Sequence, residues 1–208
     1  MEKNKEETFK EYVRSLDLTP EDFNKKILDV GSGASEFAAW AKERGVSNNI
    51  YSMDIHPGIL DENNKTTPGV LESERSVVAN AEQIPFKDES FDLLISNASV
   101  PHMYYEYQSD EDPKIMEEKI RNTLSEMVRL TKPGGEIRLN PILDGNIYPV
   151  FKKFRKSFDK ILGDIANENN LEIEWINKRE TNFTDGVDNS WLVKIKKTKG
   201  FLSNNNKK

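Results

Sequence analysis

The sequence contains no cysteine. That excludes disulfides, thiolate metal sites and a cysteine nucleophile, and it is compatible with a reducing cytoplasm. No apolar run approaches the ~20 residues that a membrane-spanning helix needs. Met1 to Glu7 are too charged to hold the apolar stretch of a secretion signal. A cytoplasmic protein with no membrane partner is the expectation. Nor is there an excess of positive charge, the formal net charge being -6. Phosphate polymers are bound largely through Lys and Arg, so the balance argues against a nucleic-acid partner unless a local basic patch overrides it. No internal repeat is present, and 208 residues suffice for one domain with a proper core.

What is there is an alternation of short apolar strands and helical patterns. Phe9, Tyr12, Val13 and Leu16 fall at helical spacing, and Thr19-Pro20-Glu21-Asp22 reads as a short capped turn. Strands are expected at Lys26–Val30, Asn49–Met53, Ser76–Ala79, Phe91–Ser96 and Glu136–Leu139. Helices are expected at Ser35–Arg44, closed by Gly45, at Ile115–Leu130, stopped by Lys132-Pro133-Gly134-Gly135, and at Pro149–Ala166. Two further strands, Glu172–Ile176 and Trp191–Ile195, follow with no helix between them, and the polar segment Asn177–Ser190 reads as a loop. Five alternating strands predict a parallel α/β sheet, and the final two an antiparallel pair. Ligands of such sheets bind at the C-terminal ends of the strands.

The segment Ile27-Leu28-Asp29-Val30-Gly31-Ser32-Gly33-Ala34-Ser35-Glu36 is the most informative. A strand runs through a glycine turn into a helix, the arrangement of a nucleotide crevice. A dinucleotide fingerprint requires a small residue where Glu36 stands. Asp29 and Glu36 would repel a pyrophosphate, and they suit a ligand with a positive centre and no phosphate. A nicotinamide cofactor is thereby disfavoured.

Four stretches in order, Ile27–Ser35, Tyr51–Pro57, Asn80–Asn97 and Leu124–Pro141, make the chain resemble the class I S-adenosylmethionine-dependent methyltransferases of small-molecule type. The resemblance implies a Rossmann-like α/β fold: a seven-stranded, mostly parallel sheet in the order 3-2-1-4-5-7-6, strand 7 antiparallel, with helices on both faces. It implies one methyltransferase domain over residues 1–208, with 1–24 as a helical cap segment and 203–208 as a disordered tail. It implies S-adenosyl-L-methionine as cofactor and no metal. Asp29, Gly31, Ser32 and Gly33 would take the methionine end. Asp54 would take the ribose hydroxyls, and Ile55 would follow it against the adenine. Asn80, Ala81 and Glu82 would neighbour the adenine ring, and Asn97 would lie beside the methionine part.

Methyl transfer from a sulfonium depends mainly on in-line positioning, so a dedicated base is optional. The candidates are His102 and Tyr104, while Met103, Tyr104, Tyr105 and Tyr107 as a group are read mainly as loop anchors. Asn140, Pro141 and Asp144 are placed on the acceptor rim. Ser35 replaces the third glycine of the family pattern and is expected to cap the helix. The basic cluster Lys152, Lys153, Arg155, Lys156 reads as a solvated helix face. The expected partner is a small-molecule acceptor, and the chain is expected to be a monomer or homodimer. Two alternatives remain at this level: an RNA or protein methyltransferase of the same fold, and a non-catalytic methyltransferase-like binding domain.

Overall fold

The computed structural model describes residues 2–55, 59–60, 66–67, 75–100, 102–104, 113–183 and 186–199. Seven strands form one sheet: β1 (Ile27–Val30), β2 (Ile50–Asp54), β3 (Ser76–Val78), β4 (Phe91–Asn97), β5 (Thr131–Leu143), β6 (Leu171–Phe183) and β7 (Gly186–Lys197). Their order is β3-β2-β1-β4-β5-β7-β6. Pairing is parallel from β3 through β5, and β7 runs antiparallel to both β5 and β6. The expected topology is therefore the observed one. A separate two-residue ladder pairs Ile59–Leu60 with Thr66–Thr67 in the long connection after β2. The rest of that connection, the acidic stretch Asp110 to Asp112 and the 203–208 tail lie outside the described residues.

Alternation along the strands divides the core between the two faces of the sheet. Leu28, Leu94 and Ile137 face α3 (Pro113–Leu130) and α4 (Pro149–Asn169), with Met127, Phe154 and Phe158. Ile27, Leu93 and Ile95 face α1 (Glu2–Ser15) and α2 (Glu36–Glu43), with Phe9, Tyr12, Leu16 and Phe37. Asp29 is two residues beyond Ile27, so the pleat aims it at α1 and α2.

Arg138 fixes the chain after α1 to β5. Its guanidinium donates to Asp22 Oδ2 at 3.0 Å, to the carbonyls of Leu16 (3.2 Å) and Asp17 (2.8 Å), and through Nε to Glu136 at 2.6 Å. Asp17 in turn pairs with Lys178 and Lys194. Thr8 donates to Glu36 at 2.8 Å and Lys5 pairs with Glu43 at 2.7 Å, tying α1 to α2.

Three expectations need correction. Asn177–Ser190 is no loop: β6 and β7 stay paired from Asn177↔Trp191 out to Phe183↔Gly186. A ribbon joined backbone to backbone satisfies its N–H and C=O groups without an apolar face, so hydropathy carried no sign of it. The strand expected at Glu136 begins at Thr131, directly after α3, and the Pro-Gly-Gly break becomes an irregularity in its pairing with β4. Gly135 is needed there, since a Cβ would lie 2.9 Å from the Asp92 and Lys132 carbonyls. Finally, Ser35 stands at the start of α2 but makes no side-chain cap. It adopts φ +59°, and its hydroxyl lies 3.3 Å from that of Ser32.

Candidate active site

The C-terminal ends of β1, β2 and β4 come together at the glycine turn. The N–H groups of Gly31 and Ser32 both donate to the Met53 carbonyl, at 2.8 and 3.0 Å. Gly33 N–H donates to Asp54 Oδ2 at 2.8 Å. The turn is thus stitched to β2 through main chain and carboxylate together. Gly31 has φ +75°, and a Cβ there would lie 1.8 Å from Ser99 Oγ. Its bareness is used by the loop after β4. Gly33 has φ +55°, and among the described residues nothing lies within 4 Å of where its Cβ would be. The open side of the turn is therefore over Gly33. That loop is itself tight: Ala98 has φ +55° and donates to the Asn140 carbonyl at 2.7 Å, while Ser96 Oγ bridges the Val30 carbonyl and Val100 N–H.

Asp29 is fully buried, and neither carboxylate oxygen has a hydrogen-bond partner. Buried polar groups are ordinarily paired, and an orphan calls for a reason. Burial pushes its pKa up to about 8, and the negative charge of Asp54 adds to the rise. The Tyr12 phenol is the opposing neighbour, favouring the ionised form, though its hydroxyl does not reach hydrogen-bond geometry on either oxygen.

The second acid of the turn, Glu36, is spent on Thr8 of α1. Asp54 is half-buried at the end of β2, and Ile55 beside it is 55% exposed, a large apolar side chain left open to solvent. The loop after β3 is braced from within. Asn80 Oδ1 accepts from Glu82 N–H at 2.9 Å, and Glu82 takes weak contacts of 3.4 Å from Lys119 and Asn122. Ala81 is buried in the core. Asn97 is half-buried, in register with Asn140 on β5.

The structure brings Asp29, Gly31, Ser32, Gly33, Asp54 and Asn97 to one edge, with Asn80–Glu82 following β3 on the same side. It does not favour Tyr104 as a catalytic group. That side chain is 3% exposed, and its hydroxyl meets Thr123 and the Lys119 carbonyl on α3. It anchors the loop, which is why an aromatic stands there. His102 lies in the same short 3-10 turn, His102–Tyr104, its side chain outside the described residues together with Tyr105 and Tyr107. Asp144 is also committed elsewhere. Its oxygens accept from Trp191 Nε1, Arg155 and Asn189, each at 2.9 Å. Arg155, stacked on Trp175 at 4.1 Å, leaves the basic face of α4 to the exposed Lys152, Lys153 and Lys156.

Sequence reasoning missed the struts of the site. Arg129 donates to the Ile84 and Phe86 carbonyls, and Glu126 accepts from Ile84 N–H at 2.9 Å, so α3 holds the loop after β3. Their (i, i+3) spacing on α3 was the available signal. It missed Tyr12 too, whose helical spacing marked it only as core. A cavity of about 310 Å³ lined by Lys42, Ser47, Asn48 and Arg75 lies at the opposite end of β2 and shares none of these residues.

Residues 28–139, more than half of the chain, match the family model described as methyltransferase domain. The chain belongs to this methyltransferase-domain family. Its curated relatives include a malonyl-[acyl-carrier protein] O-methyltransferase from Buchnera aphidicola, 29% identical over 133 residues, which cover 64% of this chain and 46% of that protein. A ubiquinone/menaquinone biosynthesis C-methyltransferase UbiE from Stenotrophomonas maltophilia is 29% identical over 161 residues, 71% of this chain and 57% of that protein. The methyltransferase domain thus spans about half the length of the curated relatives it matches. Among solved structures, a SAM-dependent methyltransferase from Methanosarcina mazei superposes with TM-score 0.53 at 17% identity, covering 88% of this chain and 99% of that one. The YcgJ protein from Bacillus subtilis gives 0.53 at 16%, covering 89% and 98%. These likenesses establish the fold.

Proposed function

We propose that this methyltransferase domain binds S-adenosyl-L-methionine across the ends of β1, β2 and β4 and transfers its methyl group to a small-molecule acceptor. The observation that carries the reading is Asp29: a fully buried carboxylate behind an open glycine turn, with both oxygens unpartnered. A site without a cationic ligand gives no reason to keep such a group. The amino-acid end of the cofactor carries an ammonium that fits it, and the ligand, when bound, supplies an electrophilic methyl on a sulfonium.

The chain's own residues do the rest by position. Asp54, already oriented by Gly33 N–H, offers a carboxylate with about four acceptor sites to the ribose hydroxyls. Asn97 ends β4 beside the turn, and the Asn80–Glu82 loop, braced by α3, borders the adenine. Holding donor and acceptor in line is the main contribution such a site makes to the rate. With Tyr104 turned into the core, no described side chain stands as a base. The small-molecule acceptor is supported by the names of the relatives, one a C-methyltransferase of ubiquinone/menaquinone biosynthesis and one an O-methyltransferase of malonyl-[acyl-carrier protein]. It is also supported by the engagement of Arg155 within the fold, which thins the basic patch that a polyanionic acceptor would use.

Asp54→Ala tests the assignment. It should weaken the cofactor by about 1–3 kcal/mol, roughly 5- to 150-fold in Kd by calorimetry. Unchanged affinity would remove Asp54 from the site.

A further inference from the structure

At the end of β2 away from the glycine turn, α2 and the sheet enclose the cavity of about 310 Å³. α2 meets it with Ala38 and Ala39, and two side chains this short leave space over Ile50 of β2. Ile50 belongs to the core that faces α1 and α2. Around this apolar floor the wall is polar. Lys42 stands one helical turn from Ala38 on the same side of α2, and among the described residues it forms no ion pair. Its acidic neighbour Glu43 is taken by Lys5 at 2.7 Å. Arg75, on the chain entering β3, donates to Asn49 Oδ1 at 3.0 Å and lies over the Tyr51 ring at 5.4 Å. The Ser47 hydroxyl, 8% exposed, accepts from Asn49 N–H at 3.1 Å and keeps its own proton to donate. The described wall thus carries two cations and no carboxylate, in a chain of net charge -6.

A second observation lies one row further in. Strand alternation puts Ser52 on the same face as Ile50, and the register puts Ser76 of β3 beside Ser52. Ser52 N–H donates to the Arg75 carbonyl at 2.9 Å, which ties this row to the cavity wall. Ser52 is 1% exposed, and neither its hydroxyl nor the buried hydroxyl of Ser76 has a hydrogen-bond partner. Two orphaned hydroxyls side by side call for a reason. Asp29 stands next in the row, in register with Ser52. An anionic group therefore belongs at the outer, cationic end of the cavity, and neutral hydroxyls at the inner end.

We propose that this cavity binds a small phosphate monoester with a hydroxyl-bearing body. The phosphate sits at Lys42 and Arg75, the body lies over Ala38, Ala39 and Ile50, and its hydroxyls reach toward Ser52 and Ser76. Phosphate oxygens accept, which matches an ammonium, a guanidinium and the Ser47 proton. Hydroxyls on the body both donate and accept, which matches the two serines. The volume is that of a small-ligand pocket. The inference does not depend on the cofactor reading, since the two sites share no residue.

The test titrates the full chain with glycerol 3-phosphate, inorganic phosphate and glycerol, following backbone amides by two-dimensional NMR. Millimolar glycerol 3-phosphate should shift the Lys42, Ser47 and Ser52 amides saturably. Phosphate should do so more weakly, and glycerol should not. Lys42→Glu, at an exposed helix position, should weaken glycerol 3-phosphate about tenfold and leave urea unfolding unchanged. Ser52→Ala should erase the advantage of glycerol 3-phosphate over phosphate. No saturable shift, or an affinity unmoved by Lys42→Glu, overturns the site. An advantage that survives Ser52→Ala overturns the role of the hydroxyl row. Displacement of glycerol 3-phosphate by S-adenosylhomocysteine would put it at the cofactor edge and overturn the site as well, whereas failure of the cofactor to bind would count against the cofactor reading alone.

Discussion

Replacing Arg138 by alanine is expected to destabilise the fold by about 3–5 kcal/mol, the cost of removing one partner from a buried ion pair. The side chains of Arg138 and Asp22 are 7% and 3% exposed. Losing the guanidinium takes one of two cations from the buried Asp22 carboxylate and leaves the Leu16 and Asp17 carbonyls short of a donor. Lys25 and Thr19 still hold Asp22, so the fold should survive, weakened. The effect is not confined to β5. These bonds are what fasten the chain leaving α1, so the loss should also loosen that helix against α2. Acid tests the same pair. Its partners hold Asp22 down to about 2 from an ordinary 3.8. Its contribution is therefore present above about pH 4 and is lost as pH falls through 2. Urea unfolding checks the magnitude, and a loss below about 1 kcal/mol would show that the cluster is not holding the segment.

The second large effect runs the other way. Asp29→Asn is expected to make the protein more stable at pH 8. The folded-state pKa of Asp29 is raised, from 3.8 to about 8. The unfolded chain then gives up that proton as pH rises past 4 while the folded chain keeps it. The stability associated with Asp29 is complete below pH 4 and drains away up to pH 8. At 1.36 kcal/mol per pH unit that is roughly 6 kcal/mol. An asparagine has no charge to bury, although its amide stays unpaired and returns about 1–3 kcal/mol of the gain. Urea unfolding at pH 5 and pH 8 should show a stability difference in the wild type that shrinks by several kcal/mol in the variant. Parallel pH profiles would contradict the picture of Asp29 as a buried, proton-holding group. A residue that weakens the free fold and serves the ligand is the usual compromise of a functional site.

Much of this was legible in the sequence. Short strands alternating with amphipathic helices revealed a parallel sheet, because a parallel strand buried on both faces announces itself as an apolar run such as Phe91–Asn97; the order of its strands came from the resemblance to the methyltransferases. The glycine turn and Asp54 were legible because few conformations carry a strand into a helix over so few residues. The failures have particular causes. The β6–β7 ribbon is held by main-chain pairing, to which hydropathy is blind. Tyr104 was read both as a loop anchor and as a catalytic candidate; its hydroxyl meets Thr123, the anchoring reading, and spacing alone cannot tell which way a loop residue faces. Asp29 was read as a fixed negative charge that repels pyrophosphate. In the free protein it holds a proton through neutral pH, so that repulsion is weaker than its formula suggests. Arg138 looked like one polar residue in an alternating strand, and only the return of the chain after α1 shows what it clasps.

The central claim is that the crevice over Gly33 takes a cationic, phosphate-free cofactor. Calorimetry of the full chain with S-adenosyl-L-methionine and, separately, with NAD tests it directly. The account predicts binding of the former and none of the latter. No binding of S-adenosyl-L-methionine at millimolar concentration, or preferential binding of NAD, would contradict it.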